Sequence, residues 1–388
     1  MRNPVRYALA LAAAFAAPTY ASTLEVRFYP TAQVRSVEVD KAHGLKSIVL
    51  HNLAIVNSGG DALELDRVTL ELQSAQGTLQ SQALDAAELT RAAARTKPLA
   101  DAGVLNTLAF QFAPEQLLGK DIALSGTNAL AGRQALLTVY RSFVYRGDAV
   151  RLHVVAEAHD ANRNAIRAQA DLPVVQAAAS GYLFPLTGSW YVGAGSSFHT
   201  AHRWAVPEEF ALDLLRVDGN GNAFRGKGTR RQDYYGYAAP VRAAHAGRVI
   251  DVFNDLPETD ADLQRAGESK QAYMQRVVEG QMARLAQGTN IVIGNHVTID
   301  HGDGSYATYA HLQTGSITLK VGEEVRRGQP LGKLGTSGNS TAPHLHFQVC
   351  DAPDALHCAG IPIAFDEIEL PLADDVRALQ SGDFVTAH

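Results

Sequence analysis

His344 and His346 stand two apart in the run Pro343–Val349 (PHLHFQV). In a strand, residues i and i+2 share a face, so both imidazoles emerge side by side while Leu345 and Phe347 point the other way. Neutral imidazole is a preferred zinc ligand, and two neighbouring imidazoles call for a metal or an acid beside them. An HxH pair alone is a weak signal. Asp213 adds to it. In Phe210-Ala-Leu-Asp-Leu-Leu it is one carboxylate in an otherwise apolar strand, a costly placement unless the charge is paired or binds a metal. The ordinary alternative is a core aspartate satisfied by backbone amides. Histidine and carboxylate together make a zinc set, and a catalytic zinc keeps three protein ligands and a water. His202, Asp213 and His346 would complete such a set. His311 closes the run Tyr306-Ala-Thr-Tyr-Ala-His and is not needed as a fourth ligand. A zinc-bound water has its pKa lowered to about 7, and a nearby imidazole can move its proton. His311 and His344 therefore suit a general base or the stabilisation of a tetrahedral oxyanion; spacing does not divide those roles between them.

The elements that must position these residues are short strands. From Gly181 onward, glycine, histidine and β patterns are dense, as in Asn290–Asp300 (NIVIGNHVTID). Between Leu256 and Leu285 the texture changes: Leu263, Ala266, Met274, Val277, Val278, Met282 and Leu285 fall mostly three or four apart amid charge. That period predicts a helical insertion at about 256–287 between two strands. Upstream, residues 23 to about 178 show period-2 runs such as Thr23–Phe28, Lys46–Val56, Val68–Leu72, Ala135–Tyr140 and Val150–Ala156, parted by turns such as Ser58-Gly-Gly-Asp. They predict an antiparallel β-sandwich, interrupted by an Ala-rich helical stretch from about Leu84 to Leu105. Its histidines, His43, His51, His153 and His159, are scattered and read as ordinary surface or core residues. Gln176–Gly181 reads as a linker.

The chain has 388 residues, so two domains of ordinary size are the natural division. With hydrophobic content of 46% and charged content of 19% it is an ordinary globular protein. A formal net charge of -6 argues against a nucleic-acid partner, which needs a positive field. Arg2 and Arg6, the apolar run Tyr7–Ala17, Pro18 and the small Ala21 read as a signal peptide over 1–21. The run is too short to span a bilayer, so the expectation is an exported protein with no stable membrane insertion after cleavage. Cys350 and Cys358 predict one small disulfide loop in an oxidising compartment, and they lack the CxxC spacing of a zinc knuckle. The glycine-rich stretch Gly328–Gly338 lacks the GK[ST] ending of a phosphate loop and reads as turns.

These pieces together resemble the lysostaphin-type family of zinc metallopeptidases, which includes the β-lytic endopeptidases of peptidoglycan. The resemblance runs over roughly Phe184–Val349. It rests on Ala239–Val249 (APVRAAHAGRV), Val297–Gly304 (VTIDHGDG), Tyr309–Leu312 (YAHL), Val321–Gly332 (VGEEVRRGQPLG), Gly335–Gly338 (GTSG) and Pro343–Phe347 (PHLHF). It implies a small antiparallel β-sheet groove holding one zinc by two histidines and an aspartate, falling here on His202, Asp213 and His346, with catalytic histidines at His311 and His344. It also implies peptide-bond hydrolysis in peptidoglycan cross-links or stem peptides by a periplasmic or secreted protein. The alternative from another class is an inactive relative that binds the wall and activates a separate hydrolase. Two departures stand out. Residues 203–212 separate His202 from Asp213, a longer gap than the family's, which leaves His199 as a rival first ligand. Gln348 replaces a common glutamate, a change expected to matter little. The resulting organisation is a signal peptide (1–21), an N-terminal β-sandwich-like domain (22–178) and a zinc peptidase domain (181–388) with a tail from about 351. If the sandwich covers the groove, removing 23–178 should raise activity.

Overall fold

The computed structural model describes residues 23–176, 178–373 and 377–388; the expected signal peptide lies outside the described residues. The chain is mainly β. Its first half forms two sheets, one in the order Leu24–Tyr29, Leu45–Asn57, Gln134–Arg146, Ala123–Leu124, the other Val34–Arg35, Ala165–Val175, Ala149–Asp160, Leu63–Ser74, Gly77–Asp85. Alternate residues of both sheets, such as Ile48, Leu50, Phe143, Leu70, Leu152 and Val154, meet in one core, which is the construction of a sandwich. The strand Leu45–Asn57 departs from simple alternation because both of its faces are covered. Ala54 and Val56 pack with Leu105, Phe112 and Leu117 of the interposed helices, so its sequence reads as a near-continuous apolar run. The Ala-rich stretch is a helix over Ala86–Asp101, started by a capping box between Asp85 and Glu88.

The second half is built on a nine-stranded sheet in the order Glu324–Val325, Gly247–Phe253, His296–Asp300, Tyr306–Ala310, Leu345–Cys350, Leu212–Leu215, Gly188–Ala194, Phe384–Ala387, Ile368–Glu369. Every pairing in it is antiparallel. Leu212, Leu214, Leu345, Phe347 and Tyr309 face one core, so their neighbours must face the opposite side. Register then sets the site: His346 pairs with Asp213 on one flank and with Ala310 on the other. The residues after 351 return to this sheet rather than trailing away, with Val385 fully buried. Ala179–Leu183, read as linker in part, is a strand parallel to Ile363–Asp366.

Two expectations are corrected here. The helix of the insertion begins at Lys270, capped by Ser269, and ends at Leu285; residues 256–269 are irregular, with Leu263 buried on its own. Asn290–Ile293 belong to a short helix, Thr289–Ile293, and the strand starts only at His296. Short apolar runs fit helix or strand equally, and here Gly294 decides. It takes φ 75° and lies so close to Ser337 that a Cβ would meet the Ser337 carbonyl oxygen at 2.6 Å, so strand and helix cannot be continuous through it.

Candidate active site

A cleft of about 240 Å³ opens over the polar face of the central strands, and every residue lining it lies between Ala201 and Leu356. His202, Asp213, His311, His344 and His346 all line it, brought together from four separate segments. His202 stands on a short 3-10 turn, His202–Trp204; Asp213 and His346 are cross-strand neighbours. His311 follows the strand Tyr306–Ala310 with φ 61°, a left-handed conformation that turns its ring back over the sheet. His344 precedes the strand that carries His346. One ligand atom each from His202, Asp213 and His346 fits within a 4.8 Å sphere of mutual distance. The rings of His311 and His344 lie beside this set, 4.8 Å apart between centroids. His199 is exposed and is no member of the donor cluster.

Each of the four rings is pinned at one nitrogen by a carbonyl. His202 Nδ1 donates to the Ala211 carbonyl at 3.1 Å, His311 Nδ1 to that of Ser337 at 2.9 Å, and His344 Nδ1 to that of Ala342 at 2.7 Å. His346 Nε2 donates to Gln348 Oε1 at 2.9 Å. A carbonyl only accepts, so the pinned nitrogen carries a proton and the other is left facing the cleft. Three of those other nitrogens converge on Asp213: His346 Nδ1 at 2.9 Å from Oδ1, His202 Nε2 at 3.4 Å from Oδ2, and His344 Nε2 at 3.5 Å from Oδ1. The nitrogens of His202 and His346 with an oxygen of Asp213 form a donor set whose chemistry suits a divalent cation of borderline softness, and His344 Nε2 lies beside it.

The electrostatics agree. Burial works to raise the Asp213 carboxyl, but the charges of His202 and His344 and the bonds from His344 and His346 outweigh it and hold it well below the usual carboxylate range. Burial would likewise lower His346, yet the hydrogen bond and charge of Asp213 carry it up to about 9. The site thus strongly favours positive charge beside Asp213. His311 moves oppositely: burial, then the neighbouring His344 and His346, hold it well below its ordinary value, so its ring is neutral at physiological pH.

Gln348 is the residue that sequence reasoning undervalued. Its Nε2 donates to the Ala355 carbonyl at 2.6 Å, inside the loop closed by the Cys350–Cys358 disulfide. That bond fixes which end of the amide faces His346, so the disulfide loop orients Gln348 and Gln348 orients the ring. The signal existed, since Gln348 follows His346 by two in the same strand and must share its face. Gln281, from the exposed helix Lys270–Leu285, also lines the cleft; nothing in its spacing marked it.

A β-sheet cleft with a His–Asp–His donor set and two further imidazoles defines a candidate metallopeptidase domain. Residues 272–357 match Peptidase family M23, and the chain carries a domain of that lysostaphin-type family. His311, His344 and His346 lie inside the matched span; His202 and Asp213 lie outside it and join the site through the fold. Among curated proteins, the chain is 34% identical over 92 residues to peptidoglycan DD-endopeptidase ShyA of Vibrio cholerae, covering 24% of this chain and 19% of that protein. It is 44% identical over 61 residues to glycyl-glycine endopeptidase ALE-1 of Staphylococcus capitis, covering 16% of each. The chain thus spans about a fifth or less of the length of these relatives. Among solved structures, the catalytic domain of lysostaphin from Staphylococcus simulans aligns with TM-score 0.25 and 17% identity, covering 45% of this chain and 88% of that one.

Proposed function

We propose that the chain is a zinc metalloendopeptidase that hydrolyses peptide bonds in peptidoglycan cross-links or stem peptides, in the periplasm or outside the cell. The observation that carries this reading is the convergence of three inward-facing donors, on His202, Asp213 and His346, with two pinned imidazoles beside them. His202, Asp213 and His346 would hold a zinc ion, which would supply Lewis-acid polarisation of the scissile carbonyl and a water acidified to near-neutral pKa. His311, neutral and with Nδ1 committed to Ser337, offers its remaining nitrogen to accept a proton from the attacking water or, once protonated, to return it to the leaving amine. His344, likewise committed at Nδ1, presents Nε2 at the same cleft, where it stabilises charge developing on the carbonyl oxygen. The cleft's side chains, Gln281, Asn339 and Thr341 among them, offer hydrogen bonds to a peptide backbone rather than a deep apolar pocket. The named endopeptidases among the relatives, ShyA and ALE-1, support the substrate class, and a disulfide supports an oxidising location. No helix among the described residues is long and apolar enough to cross a membrane.

The test is digestion of purified peptidoglycan followed by mass spectrometry of the released fragments. The expected result is new free amino termini at one peptide bond, abolished by a chelator and by His344→Ala. Intact sacculi after incubation with the zinc-supplied protein would contradict hydrolysis and favour the wall-binding alternative.

A further inference from the structure

Residues 203–212, the long gap between the first two donors, build a loop that enters the N-terminal half of the molecule. Arg203, directly after His202, is 0% exposed. Its guanidinium donates to Glu209 Oε1 at 2.7 Å and to Ser47 Oγ at 2.9 Å, and Ser47 belongs to the sandwich strand Leu45–Asn57. Gln111, on the short helix Ala109–Phe112 of the same half, holds the loop backbone with both ends of its amide. Its Nε2 donates to the Trp204 carbonyl at 2.8 Å, and its Oε1 accepts from the Val206 amide at 2.8 Å. Tyr140 packs edge-on against the Trp204 ring at 5.8 Å. The far end of the loop returns to the site, because Ala211 supplies the carbonyl that pins His202 Nδ1.

A buried ion pair gains little net stability but is expensive to leave half-paired, so Arg203 and Glu209 hold each other in place once the loop is docked. We propose that this loop is a latch through which the sandwich holds the first metal ligand, with Ser47 and Gln111 acting as positioning residues for His202. The proposal rests on the assignment of His202 to the metal set. It gives the sandwich a role other than covering the groove: among the described residues the sandwich contributes none to the cleft lining, and its removal would strip Arg203 and the Trp204–Val206 backbone of their partners. Activity then depends on the sandwich instead of being restrained by it.

The test is zinc affinity of the full-length chain, by competition with a chromophoric chelator well below the unfolding midpoint, with unfolding followed separately. Gln111→Ala should weaken zinc binding by up to about 10-fold, the low end of what losing a group bonded to the ligand itself costs, since Gln111 acts through the loop backbone; Ser47→Ala should weaken it in the same direction by less. Leu70→Ala, a cavity in the sandwich core away from the latch, should lower the midpoint and leave zinc affinity unchanged. Wild-type affinity in both latch variants would overturn the proposal. So would a loss in Leu70→Ala as large as theirs, since general destabilisation would then suffice. If Gln111→Ala does not fold, Ser47→Ala decides, because it removes one hydroxyl only. A His346→Ala chain that binds zinc as tightly as wild type would refute the metal assignment itself, a failure distinct from that of the latch.

Discussion

Each half of this molecule has a strand whose residues are buried on both faces, Leu45–Asn57 in the sandwich and Leu345–Cys350 in the peptidase sheet, the second with one face flooring the cleft. Both carry polar side chains in mid-strand. In the first, Asn52 and Asn57 donate to carbonyls of nearby segments, Gln111 at 2.8 Å and Asp61 at 2.7 Å, and so stitch layers together. His51 on that strand has no hydrogen-bond partner at either ring nitrogen. Burial, reinforced by the charge of Arg203, pushes it down to about 3. His346 is buried too, yet Asp213 drives it the other way, to about 9. The same residue type, buried in both halves, ends as a neutral core ring in one and a candidate ligand in the other. What separates them is how directly each ring meets a carboxylate: Asp213 Oδ1 stands 2.9 Å from His346 Nδ1, whereas Glu209 stands 3.9 Å from His51 Nδ1 and is itself paired with Arg203 at 2.7 Å.

The contrast can be broken most severely by removing the carboxylate. Asp213→Leu should turn His346 into a second His51, and zinc affinity should fall by about 100-fold or more. A structural zinc bound by roughly 10–16 kcal/mol shared among four ligands is worth about 3 kcal/mol for each; equilibrium dialysis against zinc buffers reads this loss. His344→Ala should leave zinc in place and lower kcat by about 10²–10⁴-fold, the range expected for a proton-transfer or oxyanion group, measured on peptidoglycan fragments. Gln348→Leu frees the His346 tautomer and should weaken zinc by about 10-fold, while Gln348→Glu, which keeps an acceptor at Nε2, should recover most of it. The smallest effect belongs to His51. Its folded pKa is depressed from 6.5 to about 3, so the stability it contributes is present above 6.5 and is lost as pH falls from 6.5 towards 3. His51→Leu should therefore flatten the acid side of a plot of unfolding midpoint against pH, without changing zinc uptake at neutral pH.

Much of the peptidase half was readable because its chemistry sits at strand spacing. The alternation of Pro343–Val349 placed His344 and His346 towards one side, and the lone carboxylate among Phe210, Leu212 and Leu214 marked Asp213. Gln348 obeyed the same alternation but was read as a mere substitution for glutamate, because its consequence depends on Ala355 in the disulfide loop. The helix Lys270–Leu285 showed its period, yet the period does not say which way a face points: Met274, Val278 and Met282 are exposed. The latch was invisible for a different reason. Arg203 meets Ser47 across 156 residues of chain, and Trp204 meets Gln111 across 93. Neither Ser47 nor Gln111 carries any local pattern that distinguishes it from a surface polar residue. Contacts of that separation are set by how two cores dock, and local periodicity holds no information about docking.

The central claim is that His202, Asp213 and His346 hold one metal ion while His344 serves the chemistry beside it. Zinc content per chain, measured by mass spectrometry on the purified wild type, His346→Ala and His344→Ala, tests it most directly. The expected result is about one zinc in the wild type, as in other sites with three protein ligands, near none in His346→Ala, and wild-type content with lost activity in His344→Ala. Equal zinc in wild type and His346→Ala, or its loss from His344→Ala alone, would contradict the assignment.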